Sequence, residues 1–298
     1  MTLRLATRKS PLALVQARYV QGRLTEIGLA SELVLVDTKG DRDADVDLAS
    51  IAGQGVFTVE IQRALLNGEA DVAVHSAKDL PSTTPDGLVL VSVPERLDPA
   101  DVLVGRSLAG LGPGATVATG SPRRRALLLE RRPDLQVVAL RGNMATRFAA
   151  AGKSGVDAIV AAKAALDRLG EEGLVSERLD PTWFVPQVGQ GALALEARVD
   201  DDMTREALKA INDESALSEV LAERAFLSEL GAGCSIPAGA NAESHGERLS
   251  IRGVMIAPEG TTSVRAELTS HDPLQLGRDL ACLLRDEMGG GALLGWDA

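Results

Sequence analysis

Aromatic side chains are almost missing from this sequence: four Phe, two Trp and one Tyr make up 2% of its 298 residues. The core must therefore be filled by Leu, Val, Ile and Ala. Cysteine is as scarce, with Cys234 and Cys282 the only two. Two distant thiols exclude a disulfide framework, and a reducing cytosol would keep both free. Three scattered histidines, with no close Cys/His spacing, exclude a structural zinc site, and no metal is expected. No apolar run approaches the roughly 18 residues of a membrane span. The N-terminal "MTLRLATRKSPLAL" is broken by Arg4, Arg8 and Lys9, which no signal-peptide apolar region tolerates, so a cytoplasmic location is expected. Positive charge is outnumbered, 31 Lys and Arg against 42 Asp and Glu, for a net charge of −11. That balance argues against nucleic acid or an anionic membrane as a partner, and it makes any local basic cluster more telling.

What is present is a globular chain, 45% hydrophobic and long enough for two or three domains. Short β-like runs at 3–6, 32–37, 71–75, 88–93, 116–119, 136–140 and 157–161 alternate with helical stretches, among them 11–27, 57–67, 122–131 and 162–169. This is the pattern of an α/β fold with mainly parallel sheets. A weak internal echo runs through it. "LATRKSP" (5–11) and "VATGSPRRR" (117–125) share a strand end, a basic loop and a Ser-Pro helix start, and "EADVAVHSAKD" (69–79) resembles "GVDAIVAAKAALD" (155–167). The echo predicts two related α/β lobes. Crossovers near 97–105 and 185–197, the second with glycines on both sides of Gln190, predict a hinge and a cleft. The lobes are assigned as 1–96 with 190–212, and 97–189. Residues 213–298 read as a small α+β C-terminal domain. A helix with Leu217, Val220, Leu221, Leu227 and Leu230 on one face leads into three strands and a last helix near 273–288, and Cys234 sits in the first helix-to-strand loop.

Ligands of open α/β sheets bind beyond the carboxyl ends of the strands, and here those ends are polar. They carry Arg8, Lys9 and Ser10; Lys39 and Asp41; Ser76, Lys78 and Asp79; Ser121, Arg123 and Arg124; Arg141 and Asn143; and Lys163 with Arg168 beyond it. Ser121 suits an N-cap and Pro122 the first helical position, which puts Arg123 and Arg124 in a first turn where cations oppose the helix dipole. A bound carboxylate or phosphate would resolve that conflict, against the plainer reading of a solvated basic surface. Asp79 is the lone carboxylate of "HSAKDLP", either pairing with Lys78 or serving as acid and charge stabiliser in a cationic cleft. His75 is expected to bond a neighbour inside its lobe, and Cys282 lies off its helix's apolar stripe. The glycine-flanked "GAGCSIP" makes Cys234 accessible, as a modified or nucleophilic thiol must be.

Taken in order, "LATRKSPLAL", "TKGD", "GVFTVEIQRALL", "DVAVHSAKDLP", "SPRRR", "LRGNMATR", "AALDRLG", "VGQGALALE" and "GAGCSIPAGA" resemble the porphobilinogen deaminase (hydroxymethylbilane synthase) family over residues 3–240. The resemblance implies two lobes like type II periplasmic binding proteins plus a small third domain, in a monomer. It implies a dipyrromethane cofactor, built from the enzyme's own substrate and joined to Cys234 by a thioether. Four porphobilinogens are added to that primer with loss of ammonia, and water releases hydroxymethylbilane. It also implies roles residue by residue. Asp79 matches the catalytic aspartate, which stabilises the cationic azafulvene. Lys78, Asp41, Ser121, Arg123, Arg124 and Arg147 match cofactor contacts. Arg8, Ser10, Arg141, Arg168, Gln190 and Phe57 match contacts to the substrate and the growing pyrrole chain, whose acetates and propionates explain the arginines. Gln54 and Val59 stand where many members carry lysines, so those two contacts are not expected here. The alternative is a periplasmic-type small-anion binding protein without catalysis, which leaves Cys234 unexplained. A cysteine-nucleophile enzyme would need a base beside Cys234 that the sequence does not identify.

Overall fold

The computed structural model describes residues 2–38, 58–140, 148, 151, 155–231 and 236–296. Within them the chain first runs β1 (Thr2–Arg8), α1 (Pro11–Glu26), β2 (Ala30–Val36), α2 (Val59–Leu66), β3 (Val72–Ser76) and β4 (Leu88–Ser92). It continues through β5 (Asp101–Val104), β6 (Thr116–Ala118), α3 (Pro122–Arg131), β7 (Gln136–Val138), β8 (Ala158–Ala162), α4 (Lys163–Leu169) and β9 (Val175–Arg178). Then come β10 (Leu193–Arg198), α5 (Asp202–Lys209), α6 (Glu214–Glu229), the strands β11 (Ala238–His245), β12 (Arg248–Ile256) and β13 (Ser263–Ser270), and α7 (Pro273–Cys282).

The strands form a five-stranded sheet ordered β2-β1-β3-β10-β4, a second ordered β7-β6-β8-β5-β9, and an antiparallel three-stranded sheet β11-β12-β13. The two large sheets follow one plan. Three strands run parallel, and the fourth position is antiparallel to both neighbours. This is the structural content of the sequence echo: β1 and β6, and likewise β3 and β8, hold equivalent places. The antiparallel strand of each sheet is the one that follows a crossover, β10 in the first and β5 in the second. Residues 101–104, read from sequence only as connector, are thus an interior strand with all four residues buried. β9 had no sequence signal strong enough to predict it.

Local chemistry starts the helices as expected. Ser10 caps α1 by accepting from the Ala13 N–H at 3.3 Å, and Ser121 caps α3 by accepting from the Arg124 N–H at 3.4 Å, each followed by proline. Such a cap contributes about 1 kcal/mol. Apolar residues then fill both faces of each sheet. Leu3, Leu5, Val72, Val74 and Leu195 pack on α1 and α5, while Ala6 and Ala73 face Ile61 and Leu65 of α2. In the second lobe Leu103, Val117 and Val160 pack on Leu127 and Leu128 of α3, against Phe184, with Val102, Ala118 and Ile159 on the opposite face.

α6 corrects the sequence reading. A single apolar stripe was expected, but Ala222, Glu223, Arg224, Ala225, Phe226 and Leu227 are all buried. The cause is its position between bodies. Its first half, with Ala216 and Val220, packs on Ala77, Leu80 and Val93 of the first lobe. Its second half packs Ala222 and Phe226 against Ile251, Leu276 and Leu280 of the three-stranded sheet and α7. β12 reaches the other way and lends Val254 and Ile256 to the core of the second lobe.

The two crossovers meet beside α6, and ionic groups satisfy their backbone. Glu223 is fully buried and accepts from the Gly189 N–H at 2.6 Å and the Ala242 N–H at 2.8 Å. Its carboxylate lies 2.8 Å from Arg96, which also pairs with Glu219 at 3.1 Å and donates to the Gln190 carbonyl at 2.9 Å. Gln190 is itself buried. Its amide donates to the Pro99 carbonyl at 2.6 Å, so the second crossover is tied to the first. The glycines on either side of it are required. Gly189 has φ +73°, and a Cβ there would lie 2.8 Å from the Lys78 nitrogen. Gly191 has φ +88°, and a Cβ would lie 2.3 Å from the Leu97 carbonyl oxygen.

Two outcomes follow for stability. Glu223→Ala leaves Arg96 with weaker compensation and two N–H groups without an acceptor, so urea unfolding should show a loss of about 3–5 kcal/mol. An unchanged midpoint would remove Glu223 from this structural role. Gly189→Ala places a left-handed residue against backbone and should cost about 1–3 kcal/mol in the same assay.

Candidate active site

The carboxyl ends of β1 and β3 open into one cavity. Arg8 and Ser10 reach it from the end of β1 and the start of α1, Gln16 from within α1, and Ser76 and Asp79 from the end of β3. Asp79 closes a 3-10 turn, Ala77–Asp79, that directly continues β3. Gln16 donates to the Ser76 hydroxyl at 2.7 Å, which ties α1 to the end of β3. The turn is braced from outside the lobe as well: Gln187, in the second crossover, donates to the Lys78 carbonyl at 3.2 Å. His75 bonds inside its lobe as expected, with Nε2 3.1 Å from the buried Glu196, which also accepts from Gln62 at 2.9 Å. Burial works against the Glu196 charge, but His75 and Gln62 hold its carboxyl below the ordinary range.

A second cavity lies between the start of α3, the second crossover and the C-terminal domain. Ser121 and Arg123 line one side, Gln187 another, and Phe226, Ile236 and Ala238 the third. Residues 232–235 lie outside the described residues, and with them Cys234. Ile236, immediately after that stretch, forms part of the cavity wall.

Between the cavities stands an ion cluster that sequence reasoning missed. Asp101, the first residue of β5, is fully buried. Its Oδ2 accepts from Arg123 at 2.7 Å, and its Oδ1 from Arg124 Nη2 at 2.6 Å, Arg124 Nε at 3.0 Å and Gln190 Nε2 at 3.0 Å. The anion that meets these first-turn arginines is therefore a protein carboxylate. Burial opposes the charge of Asp101, yet the two arginines hold its carboxyl down at about 2. The pair is not symmetric. Arg123 is 2% exposed, donates its other arm to the Val185 carbonyl at 2.6 Å and lies over the Phe184 ring. The Arg124 side chain keeps 13% of its surface and adds bonds to the Gln190 side chain and the Val160 carbonyl. Sequence treated the two as equivalent forks. "PADVLV" offered no cue to the role of Asp101 beyond an acid at a strand start.

Lys78 adjoins this cluster. Burial lowers its amine to about 8, Arg124 and Arg123 push in the same direction, and Asp79 and Asp101 push back. Arg168 projects from α4 and donates to the Gly191 carbonyl at 2.8 Å, and burial lowers it to about 10. The structure thus brings Arg8, Ser10 and Asp79 into one cavity, Ser121 and Arg123 into the other, and Arg124, Gln190 and Lys78 between them. Asp41, Phe57, Arg141 and Arg147 lie outside the described residues. Cys282, at the end of α7, sits 3.7 Å from Glu229, and burial raises its thiol above the ordinary range, which makes it a poor nucleophile. Among the described residues no group of His, Cys, Asp and Glu could hold a metal ion, and no helix is long and apolar enough to cross a membrane.

Comparisons with known proteins place the chain in a family. Residues 3–206 match the family model described as porphobilinogen deaminase, dipyromethane cofactor binding domain, and residues 217–286 match its C-terminal domain. The porphobilinogen deaminase of Rubrobacter xylanophilus is 45% identical over 98% of this chain and 96% of its own length. Those of Syntrophus aciditrophicus and Bacillus subtilis are 42% and 40% identical, covering 98% and 96% of this chain and 97% and 93% of theirs. Among solved structures, a periplasmic substrate-binding protein of an ABC transporter from Coxiella burnetii is 16% identical with a TM-score of 0.43, over 72% of this chain and 94% of its own. The methionine binding protein MetQ is 13% identical with a TM-score of 0.45, over 72% of this chain and 92% of its own. The matches at 40–45% identity favour catalysis over the alternative of a small-anion binding protein. With both family models in order and full-length relatives at this identity, the chain belongs to the porphobilinogen deaminase family.

Proposed function

We propose that the chain joins four porphobilinogen molecules into hydroxymethylbilane with release of ammonia, on a dipyrromethane primer held through Cys234, in haem and tetrapyrrole biosynthesis. Membership of the family supports the activity and the cofactor. The observation that carries the site assignment is the position of Asp79, a carboxylate just past a strand end, in a corner where among the described residues cations exceed anions: Lys78, Arg123 and Arg124 against Asp79 and Asp101. That donor set suits the primer, because each pyrrole ring bears an acetate and a propionate. When bound, the dipyrromethane supplies a nucleophilic pyrrole carbon.

The chain's own groups do the rest. Lys78, Asp41, Ser121, Arg123, Arg124 and Arg147 hold the primer. Arg8, Ser10, Arg141, Arg168, Gln190 and Phe57 serve the incoming substrate and the lengthening chain. Guanidinium forks suit this task because they match carboxylates bidentately. Asp79 accepts hydrogen bonds from pyrrole N–H groups and opposes the positive charge that develops on the substrate as ammonia leaves. A carboxylate is needed there because the surrounding side chains already supply positive charge. The lobes are divided as 1–96 with 190–212, and 97–189, with the thiol-bearing domain at 213–298. A cytoplasmic monomer completes the reading.

Intact-protein mass tests the primer. The purified chain should exceed its sequence mass by two linked pyrrole units, Cys234→Ala should lack that increment, and Cys282→Ala should keep it. Active protein of bare polypeptide mass would end this reading. Turnover tests the carboxylate. Primer-loaded Asp79→Asn should fold normally and lose roughly 10²-fold or more in porphobilinogen consumption. Asp79→Glu should retain more activity than Asn. Wild-type turnover by loaded Asp79→Asn would move the catalytic role to another residue.

A further inference from the structure

We propose that Asp101 is a positioning residue of this site: it is the internal counter-ion that lets Arg123, Arg124 and Lys78 share one buried corner beside Asp79, and it aims the Arg124 fork. The inference concerns the same corner as the proposed primer site and rests on that reading only for its consequence in turnover.

Three observations carry it. First, Asp101 is fully buried, and among the described residues its carboxylate meets only cations and an amide of the site: Arg123, Arg124 and Gln190. Second, the geometry fixes orientation. Arg124 meets Oδ1 with both Nε and Nη2, at 3.0 and 2.6 Å, while Nη2 also meets Gln190 Oε1 at 3.2 Å. A guanidinium held along two of its edges cannot swing, so the face it offers is set before any ligand arrives. Third, the charges are coupled. Among the described residues, the charges acting on Lys78 are Arg123 and Arg124 from α3, Asp101 from β5 and Asp79 from its own turn. Removing the Asp101 charge leaves two guanidiniums acting on Lys78 with one carboxylate fewer to answer them. The amine must then give up its proton more readily. Asp101 therefore acts through Arg124 and Lys78, without touching the reacting atoms.

The test is competitive acetylation of the full-length chain across pH, with the Lys78 peptide followed by mass spectrometry. It is run in primer-loaded protein and in Cys234→Ala protein, so that ligand carboxylates are present in one series and absent in the other. In both, Asp101→Asn should lower the Lys78 midpoint below its parent by about one pH unit or more. A folded Asp101→Asn protein with an unshifted midpoint overturns the proposal. Should that variant fail to fold, Arg124→Gln decides. It removes a repelling charge, so the Lys78 midpoint should rise, and a constant midpoint again overturns the coupling. The lysine titration reads the cluster directly. A chain that carried no primer would defeat the proposed function and still leave the role of Asp101 decided. Where the primer is present, Asp101→Asn should also raise KM for porphobilinogen more than it lowers kcat, because it frees Gln190, assigned to the incoming substrate, and leaves Asp79 in place. The opposite split would place Asp101 in the chemistry itself and overturn a purely positioning role.

Discussion

Two crossovers run side by side beside a buried helix, and the backbone groups they bury have to find partners there. Ionised side chains meet that constraint. Glu223 takes the Gly189 N–H from the second crossover, the Ala242 N–H from β11 and the guanidinium of Arg96. Arg96 passes the contact to the Gln190 carbonyl, the Gln190 side chain passes it to Pro99 and Asp101, and Asp101 holds Arg123 and Arg124. A continuous polar path thus runs from the C-terminal domain, through both crossovers, to the helix start that faces the cleft. Buried ion pairs of this kind contribute little net stability compared with apolar replacements, but losing one member is costly. Their value lies in fixing one arrangement of three bodies.

The same path explains why the C-terminal domain touches both lobes. α6 is buried all round over residues 222–227, and it is packed by the first lobe along one half and by its own sheet along the other. β12 completes the core of the second lobe, and Arg265 and Ser263 of β13 bond Glu130 on α3. The helix that begins with Arg123 and Arg124 is therefore anchored at its far end by the domain whose sequence carries Cys234. The residues that hold the fold together and the residues that shape the site overlap at this junction.

Much of this was legible in the sequence where the signal is local. Strand ends and the Ser-Pro helix starts at Ser10 and Ser121 depend on residues within a few positions of one another, the echo between β1 and β6 is such a short pattern repeated, and each has its place in the structure. What was not legible depends on partners far apart in the chain. Asp101 reads as one more acid in a connector until β5 is seen inside a sheet 22 residues upstream of Arg123. Glu223 and Arg224 read as the polar side of an amphipathic helix, because no local pattern announces that a second body covers that side. Gln187 has no motif value and acquires meaning only through the Lys78 carbonyl. The glycines beside Gln190 were visible as punctuation, but their necessity comes from Ala77, Lys78 and Leu97 pressing against them.

The charge state of the cleft follows from these same contacts. Burial and two neighbouring guanidiniums lower the Lys78 amine to about 8, whereas an unfolded chain would hold that proton to its ordinary, higher value. Between those limits the unfolded chain binds more protons than the folded one, so the folded state gains stability as pH rises through that window. Below about 8 a charged Lys78 is a burden on the fold. An anion placed beside Lys78 reverses the argument, because it favours the charged amine and draws a proton in with it. The corner is thus built with a deficit of negative charge that a carboxylate-bearing ligand can fill. Asp101 supplies only enough charge to hold the arginines in place. With Asp101 and Asp79 set against Lys78, Arg123 and Arg124, the cations of this corner still outnumber its anions among the described residues, in a chain whose net charge is otherwise negative.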